Sequence, residues 1–215
     1  MTGRLLSLLP GVRATKRQVE IFAEAWRSHN DNVLATLSAN DRLLVALGDS
    51  LTQGIGASSI ETNWVLSLAD RLHTDESPVR VINLSESGGK IDDVMHEQLP
   101  RLTALDRPPA VVACTVGSND LIGSPRFAAT VDRMRALLDA LPETAVIATI
   151  PDRGSLIAKA FNRRLRSAAE EASVRLAEVA PLAYRGRRTY AKDFFHPNDN
   201  GYEAWLSAFA AALDG

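Results

Sequence analysis

Between Leu43 and Val179, short apolar runs alternate with stretches whose apolar residues recur three and four apart. The runs are Leu43–Leu47, Val79–Leu84, Ala110–Val116, Ala145–Ile150 and Val174–Val179. The helical patterns cover Asn63–Leu72, Ile91–Leu102, Pro125–Leu141 and Ser155–Glu171, with a last one over Asp199–Leu213. Four of the runs are nearly continuous in Val, Ile, Leu and Ala, the composition of strands buried on both faces by helices. The fifth is interrupted by Arg175 and Glu178 and reads as an edge strand. Repeated strand–helix units with short connections pair in parallel through right-handed crossovers. The expected fold class is therefore α/β, a three-layer α/β/α sandwich around a flavodoxin-like, parallel five-stranded sheet.

Ahead of the first run lies a helical extension. Val19, Phe22, Ala23, Trp26, Val33, Leu34 and Leu37 follow helical spacing from about Thr15 to Ser38, and Ser28–Asp31 is a candidate break, with Asn30 or Asp31 capping a second piece. The division expected is residues 1–40 as this extension and 41–215 as the main domain. Its apolar face either packs on that domain or makes a homodimer contact.

A formal net charge of −2 gives no support for nucleic-acid or anionic-membrane binding. The one basic cluster, Arg185-Gly186-Arg187-Arg188, reads as a solvated loop. No apolar stretch reaches the roughly 18 residues of a membrane span. The first ten residues have too short and broken an apolar stretch for a secretion signal, and Arg13, Lys16 and Arg17 follow it, so a cytoplasmic location is expected. The single cysteine, Cys114, lies within an apolar run and reads as a buried, inert thiol.

In an open parallel sheet the loops after the strands share one rim, where such folds place their chemistry. Four polar segments fall there: Asp49-Ser50 after the first run, Ser85–Gly89 after the second, Gly117–Asp120 after the third, and Asp193–His196 before the last helix. Together they supply a hydroxyl, an imidazole and a carboxylate, the set that activates a serine nucleophile. Asp49 is expected to brace the serine turn. His29, His73 and His96 lie on helical patterns without ligand-spaced partners, so no metal and no cofactor are expected, and no phosphate-cradling Gly-x-x-x-x-Gly-Lys-Ser/Thr loop is present.

These segments resemble the SGNH, or GDSL-type, hydrolase family. Its four blocks are matched by Gly48-Asp49-Ser50-Leu51-Thr52, Asn83–Gly88, Gly117-Ser118-Asn119-Asp120 and Asp193-Phe194-Phe195-His196-Pro197, and the resemblance runs from about Leu43 to Leu206. It implies Ser50 as nucleophile, His196 as general base and acid, and Asp193 as the group that orients the imidazole. It also implies an oxyanion hole from the N–H groups of Ser50 and Gly88 and the side chain of Asn119. Glu86 and Lys90 replace the small or uncharged residues usual beside the second block, which makes Gly89 the alternative glycine donor. Phe194-Phe195 replaces a commoner small residue and lies either against an acyl chain or in the core.

The resemblance implies hydrolysis of a small-molecule acyl ester through an acyl-enzyme. Ile55, Ile60, Trp64, Leu121 and Ile122 lie near the rim and are expected to line an apolar acyl site for short to medium chains, with packing under the loops as the alternative for Trp64 and Ile122. Sugar acetyl esters, thioesters and lysophospholipids stay open as substrate classes. The alternative of another kind is a non-catalytic α/β module that binds a ligand or partner in the same crevice.

Overall fold

Five parallel strands form one sheet in the order β2-β1-β3-β4-β5. They are β1 (Arg42–Gly48), β2 (Val79–Asn83), β3 (Val111–Thr115), β4 (Ala145–Ala148) and β5 (Arg175–Ala177). The structure is a computed structural model and describes residues 10–122, 126–181 and 186–214. Around the sheet lie α1 (Pro10–Thr36), the short α2 (Ser50–Gln53), α3 (Trp64–Leu72), α5 (Phe127–Ala140), α6 (Leu156–Glu171) and α7 (Asp199–Asp214). The fourth helix, α4, begins at Ile91–Asp93, widens into a π turn at Val94–Gln98 and resumes at Leu99–Thr103.

Why both sheet faces are covered is visible in β1. Leu43, Val45 and Leu47 point into a core with α4, α5 and α6, and Leu44 and Ala46 point into a second core with α1, α3 and α7. Successive strand side chains alternate faces, so a run apolar at every position needs helices on both sides. At β5 only Ala177 is buried and Arg175 is exposed, the burial of an edge strand. Strand order reverses between β1, which pairs with β2 on one side, and β3 on the other. The crevice at the carboxyl ends of those two strands is the topological switch point.

The helix α1 differs from its expected outline. It is one helix of 27 residues, unbroken at Ser28–Asp31. That stretch contains no Gly or Pro, and its weak helix formers cost only tenths of a kcal/mol each. Asn30, the candidate cap, instead turns onto the sheet edge: its Nδ2 donates to the Asn83 carbonyl at 2.8 Å, and its Oδ1 accepts from the Asn83 N–H at 2.9 Å. Phe22, Trp26 and Val33 are buried against the chain's own domain. The opening residues Met1–Leu9, and Pro125 and Arg185 of the expected helix and basic cluster, lie outside the described residues. Among the described residues no helix is long and apolar enough to cross a membrane.

Candidate active site

Ser50 opens α2 directly behind β1, at the switch point. The turn is held through Asp49: its Oδ1 accepts the Leu51 N–H at 2.9 Å, and its backbone N–H donates to the Thr115 carbonyl at 3.1 Å. Gly48 has φ +132, and a Cβ there would stand 2.0 Å from the Thr115 carbonyl oxygen, so only glycine lets β1 approach β3 this closely. Buried Gln98, carried inward at the end of the π turn, closes the arrangement. Its Oε1 accepts the Gly48 N–H at 2.7 Å and its Nε2 donates to the Gly48 carbonyl at 2.9 Å. Nothing in the sequence pattern marks such a turn.

His196 reaches Ser50 from the far end of the chain. Its Nε2 lies 3.0 Å from Ser50 Oγ, and its Nδ1 lies 2.7 Å from Asp193 Oδ2. With a carboxylate at Nδ1, that nitrogen carries the proton and Nε2 is the acceptor facing the hydroxyl. The three-residue spacing works because the loop folds back on its own acid: Asp193 Oδ1 accepts the N–H groups of Phe195 (2.9 Å) and His196 (3.0 Å). Thr15 of α1 adds a hydroxyl donor to Asp193 Oδ2 at 2.9 Å. Burial pushes the Asp193 carboxyl up, but the His196 bond and the two backbone N–H groups outweigh it and hold the acid well below the usual carboxylate range. Gly56, at φ +100, lets this loop sit against the segment that follows the serine. A Cβ there would meet the Pro197 carbonyl at 2.2 Å and His196 Cβ at 3.0 Å.

Asn119 opens the 3₁₀ turn Asn119–Leu121 behind β3. Its Nδ2 donates to the Gly89 carbonyl at 2.9 Å and, in a longer contact of 3.3 Å, to Asp49 Oδ2. The longer contact is the weaker one, so its hydrogen is the more available to an incoming oxyanion. Gly88 lies on a cavity that also touches Ser50, Asn119 and His196. The Gly89 N–H, by contrast, is taken by the Glu86 carbonyl at 2.9 Å, so the alternative donor is already bonded. No protein acceptor takes the Ser50 or Gly88 N–H among the described residues. Glu86 itself turns outward to Arg101 at 3.3 Å.

The remaining carboxylate and thiol near the site are set by burial. Asp49 is almost completely enclosed. Burial, reinforced by the nearby Asp120 and opposed by the Leu51 N–H, pushes its carboxyl up to about 7. Cys114 is buried in β3, and burial together with the Asp49 charge pushes its thiol far up, away from the reactive thiolate. Of the other histidines, His29 bonds the Val81 carbonyl at 3.2 Å and His73 Nδ1 accepts the Val79 N–H at 3.4 Å. Among the described residues no group of His, Cys, Asp and Glu is clustered as a metal site.

Two lobes meet at Ser50. One, about 220 Å³, is bordered by Leu121, Ile122, Ile150, Pro151, Ile157 and Phe195. The other, about 460 Å³, lies on the His196 side and is bordered by Thr15, Lys16 and Val19 of α1 with Gly88 and Ile122. Leu121 and Ile122 thus sit where an apolar site is expected. Ile55 and Trp64 do not: they are 0% and 1% exposed, and Trp64 stacks on Phe209 with ring centroids 4.5 Å apart while its Nε1 donates to the Leu51 carbonyl. Ile60 packs on the same core. All three belong to the core on that side of the sheet, and Trp64 ties it to the serine turn. Phe195 borders both lobes, whereas Phe194 is exposed and away from them. Ile150 and Ile157 have no signal in the sequence, since each looks like an ordinary member of a strand or helix.

A doubly wound sheet of order 2-1-3-4-5 with serine, histidine and acid gathered at its switch point places the chain in the GDSL, or SGNH, class of hydrolases. Residues 46–204 match the GDSL-like Lipase/Acylhydrolase family, and the chain belongs to that family. Solved structures share the fold. The crystal structure of TesA superposes with a TM-score of 0.69 at 21% identity, covering 80% of this chain and 98% of its own. The psychrotrophic esterase EstA from Pseudoalteromonas sp. gives 0.63 at 22%, covering 81% and 100%. The acetylxylan esterase Axe2 from Geobacillus stearothermophilus gives 0.64 at 17%, covering 81% and 94%. No curated protein matches the chain.

Proposed function

We propose that the protein is a serine esterase that hydrolyses carboxylic esters of short to medium acyl chains. The observation that carries this reading is His196, which bridges Ser50 Oγ at 3.0 Å and Asp193 Oδ2 at 2.7 Å. Ser50 Oγ attacks the ester carbonyl while His196 Nε2 accepts its proton. Asp193 holds the Nδ1–H tautomer and stabilises the imidazolium. The tetrahedral oxyanion is met by the Ser50 and Gly88 N–H groups and Asn119 Nδ2, each worth on the order of 3 kcal/mol in such sites. As the tetrahedral adduct collapses, the bond to the alcohol oxygen breaks and His196 returns the proton to it. Water then repeats the sequence on the acyl-enzyme and releases the acid.

The size and lining of the two lobes support the substrate class. The smaller lobe, at about 220 Å³, lies below the roughly 300–1,000 Å³ of sites that enclose drug-sized ligands, and its border is mainly aliphatic and aromatic. It suits a modest acyl chain. The lobe beside His196 is the place for the leaving alcohol, because the proton must be delivered there.

A panel of p-nitrophenyl esters from acetate to palmitate, with acetylated sugars, acyl thioesters and lysophospholipids alongside, tests the reading. Turnover of the short and medium esters that disappears in Ser50→Ala supports it. An unreactive parent protein, or a Ser50→Ala variant with full activity, favours the binding-module alternative or another nucleophile.

A further inference from the structure

We propose that α1, which precedes the family-matched residues 46–204, is a working part of the site: Thr15 positions the acid, and the helix walls the leaving-group lobe. The inference rests on the esterase reading of Ser50, His196 and Asp193.

The helix is fixed in register by side chains that grip the backbone just beyond the serine. Gln18 Nε2 donates to the Ala57 carbonyl at 2.6 Å, and its Oε1 accepts the Gly56 N–H at 2.8 Å. Trp26 Nε1 donates to the Gln53 carbonyl at 2.9 Å, and Asn30 holds both backbone groups of Asn83. Three side chains thus tie one helical face to the segments that follow β1 and end β2, the ones that lead from Ser50 and toward Gly88. Helix geometry then dictates where Thr15, three residues ahead of Gln18, must sit.

It sits on the acid. The Asp193 carboxylate receives four hydrogen bonds, two at each oxygen. Three come from Phe195 and His196 within its own loop. Among the described residues Thr15 supplies the one that comes from elsewhere, and it shares Oδ2 with His196 Nδ1. Without it, the oxygen that orients the imidazole keeps a single donor, and the loop can turn carboxylate and ring together away from Ser50. A charge-assisted bond is stronger than a neutral one, and small misplacements of a base are costly in rate. The same face of α1 brings Lys16 and Val19 to the lobe beside His196, which Ile122 and Phe195 also line. The alcohol part of an ester lies between them.

Thr15→Val keeps the shape and removes the hydroxyl, and Thr15→Ser keeps the hydroxyl. With p-nitrophenyl butyrate, Thr15→Val should lower kcat about tenfold with little change in KM, and Thr15→Ser should restore it. Val19→Phe, with the acyl group held constant, should lower kcat/KM for esters of bulky alcohols more than for ethyl esters. Thermal unfolding of each variant confirms that it is folded. An active parent with a Thr15→Val variant of equal kcat, or with valine and serine variants equally impaired, overturns the positioning role. A Val19→Phe variant that penalises all alcohols alike overturns the wall. A parent that turns over no ester and takes no fluorophosphonate at Ser50 overturns the esterase reading itself.

Discussion

Asp49→Asn separates what the serine turn needs for catalysis from what it costs in stability. Burial disfavours the charged form of the Asp49 carboxyl and pushes it up from an ordinary 3.8 to about 7 in the folded protein. A raised carboxylate pKa has a definite sign. Below about pH 4 the group is neutral in both states and costs nothing. As pH rises toward 7 the unfolded chain releases its proton while the folded protein retains it, so stability falls, and above 7 the loss is complete. Between pH 4.5 and 8 the gap amounts to roughly 2.5 pH units, or about 3 kcal/mol at 1.36 kcal/mol each. The substituted amide keeps an oxygen for the Leu51 N–H and has no charge to bury. However, its NH₂ group then faces Asn119 Nδ2, donor against donor, where Asp49 Oδ2 accepts at 3.3 Å. The expected outcome is a variant whose stability advantage over the parent grows by about 3 kcal/mol from pH 4.5 to pH 8, with esterase activity lowered. Urea unfolding of both proteins across that range measures it. A constant difference at all pH values refutes the assignment of an uncompensated buried charge to Asp49.

Other perturbations follow from single contacts. Gly56→Ala should cut activity well beyond its effect on folding, because the new Cβ collides with Pro197 and His196; paired kcat and thermal-unfolding measurements check this. Gln98→Met, similar in volume, leaves the Gly48 N–H without its acceptor and should destabilise the fold by about 1–3 kcal/mol in chemical denaturation. Phe195→Ala should raise KM for butyrate and hexanoate esters more than for acetate, since the ring borders the smaller lobe, and a chain-length series reads it directly.

The fold is largely legible in the sequence because both of its periodicities are strong. Each apolar run appears as a strand close to its expected position, and Asn63 and Ser155, which open two of the helical patterns, are N-caps of α3 and α6. The sequence misleads where a local signal meets a tertiary use. Ser28–Asp31 resembles a helix break only until Asn30 is seen holding Asn83. Trp64 and Ile55 lie near the rim in sequence, yet an apolar residue that lines a cleft and one that supports it from below read identically, and both are core. The π turn that delivers Gln98 to Gly48 leaves no compositional trace, because Val94–Gln98 has an ordinary helical pattern. Thr15 is invisible for another reason: its partner Asp193 is 178 residues away, and nothing local marks a helical threonine as a donor to one oxygen of a distant carboxylate.

Activation of Ser50 as a nucleophile can be read without knowledge of the substrate. Intact-protein and peptide mass spectrometry after treatment with a fluorophosphonate should show a single adduct on the peptide that contains Ser50, absent from Ser50→Ala and strongly slowed in His196→Ala. No adduct, or one that forms equally in Ser50→Ala, contradicts the account.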